Sequence, residues 1–290
     1  MHPFAYLAPT TVKEAVQALT KYGEKARPLA GGTDILVQTR AGRYDLDAIV
    51  DIKGIPEAVG VKLTAKGLEV GAAAACYKLY EDKAISAAYL GLMDAASLIG
   101  GIQIQSRASL GGNLCNASPS ADSICPMIVH DGVAVIAGAR GNREVSIADF
   151  CTAPGKSVIK PGELLVQIRF PKPATGFGAA YERFIPRNEM DIAVVGVASS
   201  VVLDATGKKF KSARVALAAV GPTPIYAKAA SDYLAGKPVN DETIEQAAAM
   251  AKAAARPISD MRGTIDQRKH LVEVLTRRTL QKAIARAKGK

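Results

Sequence analysis

Two glycine pairs are placed where backbone amide groups could hold a phosphate. The first lies in Leu29-Ala30-Gly31-Gly32-Thr33-Asp34, between an apolar segment and a stretch with helical spacing. Glycine lets backbone N–H groups approach a phosphate closely, and the start of a helix adds a partial positive charge. Thr33 could add a hydroxyl donor. The alternative is a tight turn before a helix, a common role for a single Gly-Gly pair.

The second pair lies in Arg107-Ala108-Ser109-Leu110-Gly111-Gly112-Asn113, a glycine-rich segment that also carries hydroxyl and amide donors. Two such loops could reach the diphosphate of a dinucleotide from two directions, in a cleft between lobes. Neither loop has the pattern G-x-G-x-x-G, and the sequence contains no P-loop motif, which disfavours a Rossmann site and a P-loop nucleotidase. We expect a side chain at Gly32 or Gly112 to obstruct the diphosphate.

A carboxylate follows the second loop at Asp122, in a segment of small residues that includes Ser118. It could accept hydrogen bonds from ribityl hydroxyls or ring N–H groups, or it could only close a turn at Ser118-Pro119. Arg183 and the run 189–192 could close the same cleft from a later part of the chain. On spacing alone they could equally be a surface ion pair and the start of a strand.

The cysteines and histidines do not indicate a metal site or a catalytic dyad. The four cysteines are widely spaced, without a C-x-x-C pair, so we expect no zinc or iron–sulfur site from this chain alone. The three histidines, His2, His130 and His270, are scattered and are expected to be structural. No histidine motif indicates a covalently attached cofactor.

Length and composition indicate a globular protein of two or three lobes, because 290 residues exceed one typical domain. No apolar run is long enough to cross a bilayer, and residues 1–6 do not resemble a secretory signal. These features predict a cytoplasmic protein without a transmembrane segment.

The formal net charge of +10 could suggest nucleic-acid binding, but its distribution argues against it. Residues 262–290 contain nine Lys or Arg and two acidic residues, with no aromatic side chains among them to stack bases. We interpret this segment as a solvated helix face or a docking surface for an acidic partner, and we expect no nucleic acid as a partner.

The first glycine pair lies in a predicted strand–helix–strand lobe with parallel pairing. A capping box at Thr11-Val12-Lys13-Glu14 begins a helix that stops at Gly23. Strands are predicted at 26–30 and 48–52, with a helix from about Asp34 to Arg40.

The remainder is predicted to contain a second α+β lobe and a third region. The second lobe opens with a hairpin at 61–70 and contains helices near 77–88 and 91–98, then strands at 133–137 and 164–170. After a proline-containing linker at 171–173, strands are expected at 192–203 and 213–220. Helices are predicted at the end of the chain, near 224–234, 241–255 and 264–287.

Together these segments resemble the FAD-binding medium subunit of the molybdenum hydroxylases, the family of xanthine dehydrogenase and aerobic carbon monoxide dehydrogenase. Residues 30–34 resemble its first pyrophosphate loop, and Ser109-Leu110-Gly111-Gly112-Asn113 resembles its second. Residues 117–122 match the segment whose aspartate faces the flavin. Residues 183–193 and 260–268 resemble parts of its C-terminal domain, and the likeness extends over nearly the whole chain.

The resemblance implies an α+β fold with a two-lobed FAD-binding domain (PCMH-type), residues 1–55 and 56–173. A C-terminal α+β domain with a small antiparallel sheet and helices would occupy residues 174–290. A non-covalent FAD would lie between the two lobes. The implied cofactor-binding residues are Leu29, Ala30, Gly31, Gly32, Thr33, Asp34, Arg107, Ser109, Leu110, Gly111, Gly112, Asn113, Ser118, Asp122, Ile168, Arg183 and Ile192. The isoalloxazine would contact Ile168 and Ile192, with Arg183 near its rim.

The resemblance also implies electron transfer as the function. Electrons from a molybdenum-cofactor large subunit would cross [2Fe–2S] clusters of a small subunit, reach this FAD, and pass to NAD, a quinone or oxygen. The expected assembly is a dimer of heterotrimers. Some relatives carry an iron–sulfur cluster on an inserted Cys-rich loop; this sequence has no such insertion, so we expect no cluster here. Some also place an aromatic residue where this chain has Ile192, which weakens any transfer of acceptor specificity.

Two other functions stay open at this point. One is a self-contained FAD-dependent oxidase of a small molecule. The lack of an evident catalytic base in the sequence disfavours it. The other is a non-enzymatic binding or scaffold protein, which would be colourless and bind DNA in a salt-sensitive manner.

Overall fold

The computed structural model describes residues 2–290, which form three sheets of three, five and four strands and a two-stranded hairpin. Helices pack against all three sheets. This is the α+β architecture predicted from the sequence, and that prediction is confirmed.

The first lobe is a parallel three-stranded sheet of order β1-β3-β2. Its elements are β1 (Ala5–Leu7), α1 (Val12–Tyr22), β2 (Ala26–Leu29), α2 (Ile35–Arg40), β3 (Ala48–Asp51) and α3 (Pro56–Val59). Thr11 and Glu14 form the predicted capping box of α1, which buries Ala15, Val16 and Leu19 against the sheet. The short strand β1 was not predicted, because three residues carry too little periodicity to be recognised.

The second lobe contains an antiparallel five-stranded sheet of order β4-β5-β10-β6-β7. Its elements are β4 (Val61–Thr64), β5 (Gly67–Gly71), α4 (Tyr77–Glu81), α5 (Lys83–Ala88), α6 (Leu90–Ala96), α7 (Ile102–Gln105), α8 (Leu110–Asn116), α9 (Ile124–Val129), β6 (Val133–Gly138), β7 (Gly141–Ser146), β8 (Cys151–Ala153), β9 (Lys156–Ser157) and β10 (Leu164–Pro171). The last strand along the chain, β10, therefore lies in the centre of the sheet.

The second glycine segment differs from its prediction, because Leu110–Asn116 is the short helix α8 and not a loop. The side chain of Ser109 is the N-cap, and its Oγ accepts a hydrogen bond of 3.0 Å from the N–H of Gly112. This capping favours helix at residues whose glycine content would otherwise oppose it.

The C-terminal domain is an antiparallel sheet of order β11-β12-β13-β14 with helices on one face. Its elements are β11 (Phe177–Phe184), β12 (Val195–Leu203), β13 (Phe210–Ala218), β14 (Ile225–Tyr226), α10 (Lys228–Leu234), α11 (Asp241–Ala254) and α12 (Ile265–Ala287). Tyr181, Ala198 and Ala216 belong to the core of the second lobe, whereas alternate residues of the same strands pack on the helices. The two faces of this sheet thus belong to two different cores, that of the second lobe and that of the C-terminal domain.

The predicted division at residues 55/56 and 173/174 stays a prediction. Helix α12 is less solvated than its charge suggested, because Arg268 is 4% exposed and donates to the carbonyl oxygens of Val194 and Ala219 at 2.9 and 2.8 Å. Arg286 forms a two-point ion pair with Asp94 of α6. Part of the basic segment 262–290 therefore binds other elements of this chain rather than solvent. Within residues 2–290, none of the helices has the length and apolar character needed to cross a membrane.

Candidate functional site

A cleft of about 720 Å³ lies between the first and second lobes. One wall is the segment from β2 into α2, which includes the first glycine pair. The opposite wall is the start of α8, with the second glycine pair, together with residues 152–165. Its size is typical of a site for a small molecule or cofactor.

The two glycine segments meet at the floor of the cleft. A Cβ on Gly31 would lie 2.0 Å from the carbonyl oxygen of Arg107, so the backbones can approach this closely only if residue 31 is glycine. Further along the contact, Asn116 donates to Asp34 Oδ1 at 3.3 Å and accepts from Gln38 Nε2 at 2.9 Å. These contacts hold the walls at a fixed separation.

Gly112 is the glycine that leaves room for a ligand. A Cβ there would lie 3.0 Å from its own capping partner, Ser109 Oγ, and 3.9 Å from Ala30 Cβ on the opposite wall. The space between Gly112 and Ala30 is thus a cradle that one methyl group would begin to fill. It is bordered by the Ser109 hydroxyl and the Ala30 methyl group and lies at the start of α8, a position that suits a diphosphate.

Gly32 has a conformational role in addition to the one predicted. A Cβ at this position would meet the side chains of Leu36 and Leu29 at 3.2 and 3.3 Å. Its φ of +79° is also in the left-handed region that favours glycine. Glycine is therefore favoured at position 32 by backbone conformation and packing. Because Gly32 also lines the cleft, the obstruction of the diphosphate by a side chain there stays a prediction.

Several basic and aromatic side chains of the cleft were not singled out from the sequence. Tyr44 lies between two guanidinium groups, with the Cζ atoms of Arg27 and Arg43 at 5.0 and 5.6 Å from its ring centroid. Lys156 and Lys160 are on the opposite wall. Acidic groups are present too, so the cleft is mixed in charge with a basic excess: its charged lining residues are Arg27, Arg43, Lys156, Lys160, Glu24, Asp34 and Glu163.

These side chains are brought together by tertiary folding from segments without a recognisable motif. The segment 152–165, which contains the β8–β9 hairpin, offers no periodic pattern in the sequence. Its position is fixed by contacts such as the hydrogen bond of 2.9 Å from Gly155 N to Ala117 O. Among the residues that sequence reasoning missed, only the basic and aromatic pair Arg43-Tyr44, on the other wall, gave a recognisable signal.

About half of the predicted cofactor residues line the cleft. They come from both glycine segments and comprise Ala30, Gly31, Gly32, Thr33, Asp34, Ser109, Gly111, Gly112 and Asn113. Asn113 also holds the second wall in place, because its Oδ1 accepts a hydrogen bond of 2.6 Å from Ser123 Oγ.

Three other predicted residues are core residues. Leu29, Leu110 and Ile168 are 9%, 0% and 0% exposed. Ile168 packs in the core of the second lobe, because its position in the central strand β10 directs it into that core. The predicted contact between its side chain and the isoalloxazine is therefore not available in this structure. Leu164 and Leu165, at the start of the same strand, border the cleft, although both are buried core residues.

Ser118, Asp122 and Arg183 lie where the second lobe meets the C-terminal domain. Asp122 Oδ2 accepts from Arg183 Nη1 at 2.6 Å, and Asp122 Oδ1 accepts from the Tyr181 hydroxyl at 2.7 Å. Tyr181 and Arg183 lie on the same face of β11 because they are two residues apart. The hydroxyl of Ser118 lies 3.0 Å from that of Ser120.

Burial raises the pKa of the Asp122 carboxyl, although Arg183 and Tyr181 act in the opposite direction. Burial, followed by the neighbouring Asp122, raises the pKa of Tyr181 well above its usual range. The Nε of Arg183 is buried and has no protein hydrogen-bond partner within the described residues. An unsatisfied guanidinium donor beside a carboxylate can serve a bound polar group.

The two remaining predicted residues occupy other surfaces. Ile192 is 49% exposed, on the segment that precedes β12. Arg107 lines a second pocket on another side of the first glycine loop, together with Lys53 and Lys78. The backbone carbonyl of Arg107 packs against Gly31 of the first glycine loop.

Comparison with known proteins agrees with this architecture. Residues 2–173 match the family profile described as FAD binding domain in molybdopterin dehydrogenase, and residues 179–283 match the CO dehydrogenase flavoprotein C-terminal domain. The chain is therefore a flavoprotein of the two-domain type, and it belongs to the FAD-binding subunits of the molybdopterin dehydrogenases.

Individual relatives share the full length of the chain. It is 34% identical to the xanthine dehydrogenase FAD-binding subunit of Escherichia coli O157:H7, covering 100% of this chain and 99% of the relative. It is 33% identical to the carbon monoxide dehydrogenase medium chain of Afipia carboxidovorans, covering 99% and 98%. A solved Cu,Mo-CO dehydrogenase chain superposes with a TM-score of 0.93 at 32% identity, covering 99% and 100%. The chain is an oxidoreductase subunit that binds FAD.

Proposed function

We propose that this chain is the FAD-binding electron-transfer subunit of a heteromeric molybdenum hydroxylase. It would accept electrons from [2Fe–2S] clusters of a partner subunit and deliver them to an external acceptor, such as NAD, a quinone or oxygen. The observation that carries the proposal is the space between Gly112 and Ala30, where the two glycine segments face each other across one cleft. The match to FAD-binding subunits along the whole chain supports it.

In the proposed arrangement, the diphosphate of FAD would lie against Thr33, Ser109, Gly112 and Asn113. Hydroxyl and amide donors there can bond its oxygens, and the start of α8 adds a favourable dipole. Arg27 and Arg43 would offset the negative charge of the diphosphate. Ala30, Gly31, Gly32, Asp34 and Gly111 would form the remaining walls, and Leu29 and Leu110 would support them from the core.

Bound FAD would supply a redox centre that can take electrons from one-electron donors and release them singly or in pairs. The chain's task is to position and tune it. We assign Asp122, with Tyr181 and Arg183, to the flavin rim, because this cluster holds a buried carboxylate and an unsatisfied guanidinium Nε. Ser118 would support the same loop, and Ile192 would border the ring from the C-terminal domain.

The molybdenum cofactor and the iron–sulfur clusters would reside in two partner subunits. No group of three or more His, Cys, Asp or Glu side chains is arranged to hold a metal ion within residues 2–290. We propose a dimer of heterotrimers as the assembly and the cytoplasm as its location. The exposed part of α12 is a candidate for a subunit contact.

The proposal is tested by an absorption spectrum of the purified chain, repeated on the supernatant after heat denaturation. We expect flavin bands that move to the supernatant and are identified as FAD. Gly112→Val should lower FAD content while circular dichroism stays unchanged. Gly138→Val is the matched control, because a Cβ at Gly138 meets Glu163 Cγ at an ordinary 3.4 Å and the residue is outside the cleft.

A chain that stays colourless with added FAD, alone and in the complex purified from its host, would refute the proposal. Co-purification with an iron–sulfur subunit and a molybdenum subunit would support the assigned role in a complex. Reduction of the bound flavin by a small substrate without other subunits would instead favour the self-contained oxidase.

A further inference from the structure

A second pocket lies beside the flavin cleft, at the junction of the first and second lobes. It has a volume of about 390 Å³. Gly31 is common to both, so the first glycine loop forms a partition between pocket and cleft. Otherwise the two are lined by different residues.

The lining of this pocket is strongly basic. Lys53, Lys78 and Arg107 contribute three cations, and the lining contains no Asp or Glu. Lys53 is fixed in place, because its Nζ donates to Asp51 Oδ1 at 2.7 Å and to the Ala30 carbonyl at 3.2 Å.

Lys78 and Arg107 are different, because neither has a carboxylate within 4.0 Å or a side-chain hydrogen bond in the part of the chain from residue 2 to 290. They come from separate segments, the start of α4 and the loop before α8. Both residues are exposed, so water screens their repulsion, but each has donors free for an anion that enters the concave space between them.

The pocket also has features of a small-molecule site. Its floor includes Ala73, which is 6% exposed, and Tyr77 adds an aromatic ring with a phenolic donor. A phosphate group can accept from ammonium, guanidinium and phenol groups at once, because its oxygens point in several directions. A flat carboxylate would engage fewer of these donors.

We propose that this pocket is a second anion site, separate from the flavin site, that binds the phosphate group of a small ligand. Lys78, Arg107 and Tyr77 are its donors, whereas Lys53 is already paired with Asp51. Because Gly31 is shared, a ligand in the pocket lies directly behind the loop that we assign to FAD. The three donors line the pocket and not the cleft, so the proposal stands whether or not the cleft holds FAD.

The test is calorimetric titration of inorganic phosphate and of pyrophosphate into the full chain saturated with FAD, against chloride at matched ionic strength. Saturation removes competition from the cleft. We expect binding to persist, and Lys78→Ala and Arg107→Ala each to weaken it about tenfold. Lys78→Arg should retain most of the affinity. Lys62→Ala changes an exposed lysine of β4 outside the pocket and should leave phosphate affinity unchanged.

The flavin content of Lys78→Ala should equal that of the wild-type chain, which separates this site from the cofactor site. Absence of phosphate binding to the FAD-saturated chain would overturn the proposal. Equal binding by the Lys78→Ala/Arg107→Ala double variant would overturn it too. Binding of a glutamate-rich peptide without binding of either phosphate probe would instead identify a docking site for an acidic protein segment.

Discussion

The Nη1 atom of Arg183 lies 2.6 Å from Oδ2 of Asp122, and this ion pair joins the C-terminal domain to the second lobe. The side chains are 5% and 13% exposed, so neither charge is well hydrated. Burial raises the pKa of Asp122 despite its cationic neighbour, which shows that desolvation opposes the attraction within the pair. A pair of this kind contributes little net stability when intact but is costly to break.

The first prediction follows from this difference between an intact and a broken ion pair. Asp122→Asn should lower the free energy of unfolding by about 3 kcal/mol, because it leaves the Arg183 charge buried and unpaired. The double variant Asp122→Asn/Arg183→Met should recover part of that loss. Urea unfolding measures both. Asp131→Asn breaks an exposed ion pair with Arg214 and should cost less than about 1 kcal/mol.

Asp122→Asn should also shift the flavin reduction potential, if the cluster lies at the flavin rim as proposed. Asp131→Asn should not. An unchanged spectrum and potential in Asp122→Asn, together with lost stability, would limit the cluster to a structural role.

A second prediction separates the two functions of glycine in the cleft. Gly31→Ala places a Cβ 2.0 Å from the Arg107 carbonyl oxygen, so the lobes must shift apart, at a cost of about 3 kcal/mol or more. It should lower both the melting temperature and FAD content. Gly112→Ala should lower FAD content with little effect on stability, and Gly138→Ala should affect neither. Equal melting temperatures for Gly31→Ala and Gly112→Ala would contradict the close backbone contact.

A third prediction concerns the buried His130. It packs among Tyr89, Phe170 and Phe177, with ring centroids 5.7, 6.5 and 5.2 Å away. Burial lowers its pKa to about 3, with Asp94 opposing the shift and Arg286 adding to it. Its unfolded-state pKa is about 6.5. Between pH 6.5 and about 3, the imidazole binds a proton in the unfolded chain but not in the folded one. The contribution of His130 to the free energy of unfolding should therefore fall by about 1.4 kcal/mol for each unit by which the pH is lowered.

His130→Gln should remove this component of the pH dependence, measured as the free energy of unfolding between pH 7 and pH 4. The matched control is His270→Gln, because His270 is exposed on α12. Its profile should keep the wild-type slope. A wild-type slope in His130→Gln would show that the imidazole is hydrated or already charged in the folded state.

A fourth prediction concerns the contact between α12 and α6. Arg286 donates from two nitrogens to the Asp94 carboxylate, at 2.6 and 2.8 Å, and also to the Ala179 carbonyl at 2.7 Å. A lysine has a single side-chain nitrogen and cannot form this two-point ion pair. Arg286→Lys should therefore lower the melting temperature nearly as much as Arg286→Ala. Arg278→Lys, on an exposed position of the same helix, should have no measurable effect. Full stability of Arg286→Lys would show that charge alone is sufficient.

Most elements whose conformation is set by local residue patterns could be predicted from the sequence. The capping box at Thr11 and the hairpin turn at Lys66-Gly67 were recognisable because their residue types have few other uses. Strand β11 was missed, since Phe177–Phe184 combines a glycine, alanines and charges without clear alternation. Its strand conformation comes from pairing with β12.

For the candidate site, the two glycine segments were predictable and their surroundings were not. Spacing indicated where backbone could approach a phosphate, but not that Arg107 would line a different pocket. The burial of Ile168 could not be predicted for a similar reason. Alternation along β10 does not reveal that this strand is central and buried, whereas its first residues, Leu164 and Leu165, reach the cleft.

The central position of β10 has a consequence for synthesis of the chain. Strands β5 and β6 both pair with β10, which the ribosome makes after either of them. Until residues 164–171 emerge, each of those apolar strands has an unpaired edge, and such edges favour association with other chains. The nascent second lobe therefore passes through a stage in which aggregation competes with folding. Translation speed over residues 133–171, or a chaperone bound there, would then govern the yield of native protein.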